Sequence, residues 1–472
     1  MAEWRISDET PLRELDVLDH ERCAALHNYI LELGWTQRGL TLDTLDKRTW
    51  WECYGGDAAL ASTAEPLDAS VVSFLKAAWH GYAMKPATRP HLFHRYLAGL
   101  CTPEQLWEHA SYADYEDDSN RRRYVKLYMA NWALGATHPL GLMFDQDDFT
   151  AMQHMSMRDA DITMNGRQMW LPLEMVLDVL VDMIERGKIL AVDDSYDGEQ
   201  ERTEPWIMPS YTEQDLEDTL EAFTQLVDAI HAKIPSPPQP AKQGLLAIVT
   251  GGQPDIIPLN TFAHRFLARC PLPTFTYIAP GLRIAQHQPF APPPDRASPT
   301  PFFPTLLFSS TSPAHQLFRT APWGDQFRIS PFSPAFDHIT TYPAGVYLTE
   351  TNPHAAHPFE DGCKLVLPYA LGANAFARTS DGAVIGEDVG SKGDDATAGG
   401  GIEPRSAELY QLGYNHFIAG HDVQLKYVLG KWVEMVEEGR WAVDERGVVG
   451  GVEGWREADT EGWGEYQLPM SW

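Results

Sequence analysis

Residues 234–243 read IPSPPQPAKQ, and how this stretch is understood decides how the rest of the chain divides. Four of its ten residues are proline, which fixes φ and removes backbone donors, so neither a helix nor a central strand runs through it. Its composition is that of a stiff polyproline linker. The chain also changes character across it. Nine of the 35 prolines precede residue 235, 24 fall in residues 235–368, and two remain in the last 104 residues. The first 234 residues carry 41 acids against 20 bases, the rest 25 against 16. With 472 residues, two hydrophobic cores are expected in place of one.

Helical signals dominate the first part. Leu12, Leu15, Leu18, Leu26, Ile30 and Leu31 form an apolar stripe in the segment that ends at Gly34. Thr102-Pro103-Glu104-Gln105 has a capping threonine, proline at the first helical position and glutamine at the third. Tyr124, Leu127, Tyr128 and Trp132 recur at helical spacing, as do the apolar residues of LPLEMVLDVLVDMIERG, which stops at Gly187. Thr212 caps a further helix through Ile230. After the linker, GLLAIVTGG predicts a buried strand, and TFTYIAP, TLLFSST, GVYLTET and KLVLPYA predict more. Asp381-Gly382, between apolar runs, predicts a hairpin. Helix returns over residues 421–439, and the tryptophan-dense C-terminus is expected to pack onto the body.

The expected fold is therefore α+β: an all-helical N-terminal domain over residues 1–234 and a Pro-rich linker over 235–243. A mixed domain follows over 244–472, with a mostly antiparallel β-sheet, C-terminal helices and a mobile Gly-rich loop at about 389–402.

Charge bounds the partners. Thirty-six basic residues against 66 acidic ones give a net charge of −30, which repels phosphate backbones, so nucleic acid is not an expected partner. No stretch approaches the length of a membrane span. The opening MAEWRISDETPLREL has neither a basic start nor an apolar run, so a secretory signal is not expected there. Five cysteines far apart, without a CxxC, read as reduced thiols, and the cytoplasm, or else the nucleus, is the expected compartment. The P-loop, the dinucleotide fingerprint, the serine-hydrolase elbow and the HExxH zinc motif are all absent.

What remains is histidine. NPHAAHPFEDGCKL, residues 352–365, holds His354 and His357 followed by Glu360 and Asp361. Pro358 keeps His357 out of the helical region, so a continuous helical face of three ligands is excluded. His354 and His357 are the candidate ligands of a divalent metal, and Glu360 and Asp361 the candidate acid–base groups. The plainer reading is a polar connection between two strands. His416, His421 and Asp422 form a second candidate set, for an anionic ligand where a loop enters a helix. His91 and His94 form a third pair, on an expected helix. Seventeen histidines give roughly 0.6 such three-residue spacings by accident, so spacing alone carries little. The expected function is that of an enzyme acting on a small molecule by acid–base or metal-assisted chemistry. Its rivals are a non-catalytic protein-binding role and a small-molecule carrier with an aromatic pocket.

Overall fold

A computed structural model describes residues 1–60, 66–81, 93–107, 123–131, 141–154, 170–198, 202–203, 205–235, 244–291, 302–320, 326–349, 358–386, 406–414, 417–418 and 421–472. The linker residues 236–243, the stretch 389–402 and His91, His354, His357 and His416 lie outside the described residues.

The first core is built on three helices and a sheet. Helix α1 (His20–Gln37) starts at Asp19, whose side chain accepts the Arg22 N–H, so Leu12 and Leu15 lie ahead of it. Leu26, Ile30 and Leu31 are buried, as their spacing predicts. Helix α2 (Ala69–Ala77) is capped by Asp68. Helix α3 (Leu173–Glu185) buries Leu173, Val176, Leu177, Leu180, Val181 and Ile184 on one face. Each of these contributes about 1.5–3 kcal/mol of transfer free energy.

These helices cover a five-stranded antiparallel meander in the order β1 (Leu97–Leu100), β2 (Tyr124–Ala130), β3 (Gly141–Asp145), β4 (Thr150–His154) and β5 (Leu171–Pro172). The sheet corrects the expectation of an all-helical first part. YVKLYMA (124–130) satisfies helical spacing, but seven residues bounded by other short runs pair as a strand with GLMFD. Both faces of the sheet are covered, which hides the alternation that a half-buried strand would show. Leu142 and Phe144 join the helix-facing core, whereas Met143 and Met152 form a small cluster with Tyr124 and Trp170. Gly141 is required by close approach: at φ 107°, a Cβ would lie 2.1 Å from the Tyr128 carbonyl oxygen. The Thr102 N–H donates to Gln105 Oε1 at 3.0 Å, one half of the expected capping pair, but only the 3-10 turn Gln105–Trp107 follows.

Two short antiparallel ribbons, β6 (Leu190–Ala191) with β7 (Trp206–Ile207) and β11 (Leu317–Thr320) with β12 (Gln326–Ile329), stand apart from the larger sheets, and the second core centres on an eight-stranded sheet. Its order is β15 (Ser406–Glu408), β14 (Cys363–Leu371), β13 (Pro343–Leu348), β10 (Thr305–Pro313), β9 (Leu282–Ile284), β8 (Tyr277–Ala279), β17 (Gly447–Val448) and β16 (Val443–Asp444). All pairings are antiparallel except β17 with β8. The fold is thus mixed α+β with antiparallel-rich sheets. Helices α4 (Glu213–Lys233), α5 (Phe262–Arg269) and α6 (Leu425–Glu437) pack with this sheet, α4 against α6. Helix α4, before the proline-rich stretch, therefore shares its core with residues after it.

GLLAIV is helical over Leu245–Val249 instead of the expected strand. Its ends, Leu245 and Val249, are four apart and buried, while Leu246 and Ile248 are half-exposed. The Asp381-Gly382 turn forms with Gly382 at φ 85°, but its arms make one bridge, Arg378 with Val384. Trp432, Trp441 and Trp455 pack against one another at tilted and edge-on angles in the second core. Trp472 reaches the first core, where its Nε1 donates to Asp182 on α3 at 2.9 Å. Phe359, Phe417 and Ile418 also cross, packing into the first core from a part of the chain that otherwise builds the second. Among the described residues, no helix is long and apolar enough to cross a membrane.

Candidate functional site

The segment Pro358–Gly362 runs along the seam between the cores and then enters β14. Its backbone is pinned on both sides. The Glu360 N–H donates to the Ser210 carbonyl at 3.0 Å, the Asp361 carbonyl accepts the Leu425 N–H at 3.0 Å, and Cys363 N–H donates to Val423 at 2.8 Å. Gly362 admits no larger residue without displacement: a Cβ would meet Asp422 Cβ at 3.0 Å and Thr349 Oγ1 at 3.1 Å. The backbone bends at Glu360 and Asp361, and their side chains diverge. Glu360 and Asp361 accordingly enter different surroundings.

Asp361 points inward and is 1% exposed. Lys188 Nζ donates to its Oδ1 at 3.1 Å, and Gln424 Nε2 donates to its Oδ2 at 2.5 Å. His421 Nε2 stands 3.4 Å from Oδ1 without the alignment of a hydrogen bond, and the ring packs on Phe359 with centroids 4.2 Å apart. His421 Nδ1 lies against the Asp422 carbonyl, so both ring nitrogens face oxygen atoms. Lys188 follows Gly187, which ends α3 at φ 75°, and its side chain is fully buried. Its ammonium also lies 3.7 Å from Asp215 Oδ2 and 4.9 Å from the centre of the Phe359 ring. Lys426 closes the group, 3.2 Å from Asp215 and 3.5 Å from Asp218. Burial by itself would raise the Asp361 carboxyl, but the charges of Lys188 and His421 and the Gln424 amide hold it well below the usual carboxylate range.

This cluster binds charge to charge across the seam. Lys188 comes from the first core, Asp215, Asp361 and Lys426 from elements of the second. Its ammonium has no path to solvent, and the His421 side chain is likewise fully covered.

Glu360 points the other way. Its Oε2 accepts the N–H of Phe262, the first residue of α5, at 2.7 Å. It borders a half-open cleft with Ile257, Phe303, Thr305, Leu348 and Thr349, whose enclosed part measures about 30 Å³, room for a water or a terminal amino group. Burial pushes the Glu360 carboxyl up and Asp361 adds to the rise, while hydrogen bonding with Phe262 and Ser210 and the charge of Lys188 offset part of it. No cation of the chain pairs with Glu360 among the ion pairs of the described residues.

The residues singled out in sequence divide three ways. Asp361 and His421, nominated in separate clusters, come together in the seam. Asp422 turns from His421 to Lys364, at 2.7 Å. His354, His357 and His416 lie outside the described residues, and among those described no group of three or more His, Cys, Asp or Glu could hold a metal ion. His94 precedes a strand, not a helix; its ring is buried, Nδ1 accepts the Tyr96 N–H at 3.3 Å, and burial lowers it to about 3. Cys23, Cys101, Cys270 and Cys363 are buried thiols. Sequence reasoning missed Lys188, Asp215, Gln424 and Lys426. One signal was available for Lys188: it stands alone between Gly187 and the apolar run Ile189-Leu190-Ala191-Val192. No family model, curated protein or solved structure matches this chain.

Proposed function

We propose that the chain binds a small basic molecule in the cleft beside Glu360 and that the Glu360 carboxyl pairs with its amino group. The observation that carries this reading is a carboxyl raised by burial, bordering a half-open, largely apolar cleft and without a cationic partner among the described residues. An amine bound there as its ammonium supplies the charge partner that Glu360 lacks among the described residues, which offsets the burial that raises the carboxyl. The enclosed volume accommodates an amino group, while an attached carbon chain lies along Phe303 and Leu348 toward the open side. Catalysis on such a ligand is the extension of this reading in which Glu360 is the general acid–base. A metal held by His354 and His357 is a separate extension, and elemental analysis of the purified protein for stoichiometric metal tests it.

The cleft is tested by titrating n-propylamine, n-propanol and propionate into labelled protein and following backbone amides by NMR. Propylamine is expected to shift Phe262 and Thr349 saturably, with propionate inert, and the response is expected to vanish in Glu360→Gln. Absence of saturation with propylamine, or an unchanged response in Glu360→Gln, removes the proposal.

A further inference from the structure

Behind the seam, at the edge of the eight-stranded sheet, two carboxylates share one lysine. Lys364, on β14, places Nζ 2.7 Å from Asp422 Oδ1 and 3.5 Å from Glu408 Oε1. The arrangement is secluded: the Lys364 and Glu408 side chains are 15% and 14% exposed. Glu408 ends the edge strand β15 and pairs with Val366, on the same face as Lys364 two residues before it. Asp422 belongs to the segment that carries His421 and Gln424 into the buried seam cluster. Among the described residues, the charged groups facing Glu408 are Lys364 from the adjacent strand and Asp422 from the segment before α6, with the buried Cys363 thiol beside them.

One ammonium cannot fully neutralise two carboxylates, and Asp422, 29% exposed, is the better solvated of the two. Asp422 holds the shorter contact, so Glu408 carries the excess. We propose that Glu408 is a proton-operated latch, which when protonated holds strand β15 and the residue 421–424 segment against β14 and when ionised lets them open. Burial and Asp422 raise the Glu408 carboxyl, Lys364 offsetting only part, to about 7, so the latch works in the neutral range. The sign follows from linkage. The closed state keeps the proton up to about pH 7, while an opened, solvated Glu408 loses it at the ordinary carboxylate value. Between those two values the closed state binds more protons than the open one, so opening becomes easier as pH rises. Above about 7 both states are ionised and the dependence ends. This device does not rest on the Glu360 reading, since its groups and its readout are separate.

Native-state hydrogen exchange tests it on the full chain. The amides of Leu409, which donates to Leu365, and Cys363, which donates to Val423, report the two contacts. Corrected for intrinsic exchange, their opening constants are expected to rise with pH, by up to about tenfold per unit, and then level off. Glu408→Gln is expected to flatten the profile at its low-pH value. Asp422→Asn, which leaves Lys364 to Glu408, is expected to move the levelling point to lower pH. Carbon-detected titration of Glu408 in the wild type provides a readout independent of any variant. A flat wild-type exchange profile, a Glu408 that titrates in the ordinary carboxylate range, or wild-type slope in Glu408→Gln overturns the proposal.

Discussion

Glu360 and Asp361 are neighbours at one bend of the chain, yet they sit in opposite electrostatic situations. On the Asp361 side each buried carboxylate has a cation beside it: Lys188 lies against Asp361 and Asp215, Lys426 against Asp215 and the half-exposed Asp218, and Gln424 takes a remaining carboxylate oxygen. On the Glu360 side the carboxyl has backbone and hydroxyl partners and an apolar cleft, but no cation among the described residues. The contrast separates holding from exchanging. A matched, dry cluster locks its protonation states and fixes geometry, because removing either partner strands a buried charge. An unmatched carboxyl, raised by burial, is open to the approach of a cationic ligand.

Breaking the matched side has the largest expected effect. Lys188→Met leaves Asp361 and Asp215 buried with one cation fewer, and a loss of about 3–5 kcal/mol in urea unfolding is expected. The double variant Lys188→Met with Asp361→Leu is expected to recover much of that loss, because an apolar pair does not need neutralisation. A double variant no more stable than the single one would show that the cluster acts through shape instead of charge. Between the two sides, Gly362→Ala pushes a methyl against Asp422 and Thr349, and overpacking of this kind costs about 1–3 kcal/mol in the same assay. The smallest effect, and the one that sharpens the contrast most, is in pH. Asp361, held below its usual range, contributes stability that is present above the ordinary aspartate value and lost as pH falls through it. Glu360, held above its usual range, contributes stability that is present below the ordinary glutamate value and lost as pH rises through its own. Differences in unfolding free energy between wild type and Asp361→Asn, and between wild type and Glu360→Gln, should therefore slope in opposite directions with pH. Parallel slopes would erase the distinction between the two sides.

Some of this was legible in the chain and some was not, for identifiable reasons. Helices α1, α3, α4 and α6 were legible because long apolar periodicity leaves no alternative reading. YVKLYMA and GLLAIV were misread in opposite directions. Each is short enough that a run buried on several sides satisfies both periods, and only its pairing partner or packing neighbour resolves the ambiguity. At the site, the PFED segment was recognised as chemically dense, but not which way its two acids would face. That depends on Ser210, Val423 and Leu425, which pin the backbone from far along the chain.

The sequence by itself determined the mixed α+β character, the excess of acid, the long helices and the concentration of titratable groups around residues 354–361. Only the tertiary structure decided that Asp361 belongs with Lys188 and His421, that Asp422 belongs with Lys364, and that Glu360 faces a cleft. The physical reason is one of range. Periodicity and capping act within a few residues and leave their mark in order along the chain. Charge pairing in a dry interior joins residues 173 positions apart, as between Lys188 and Asp361, and exists only once two cores have closed on each other.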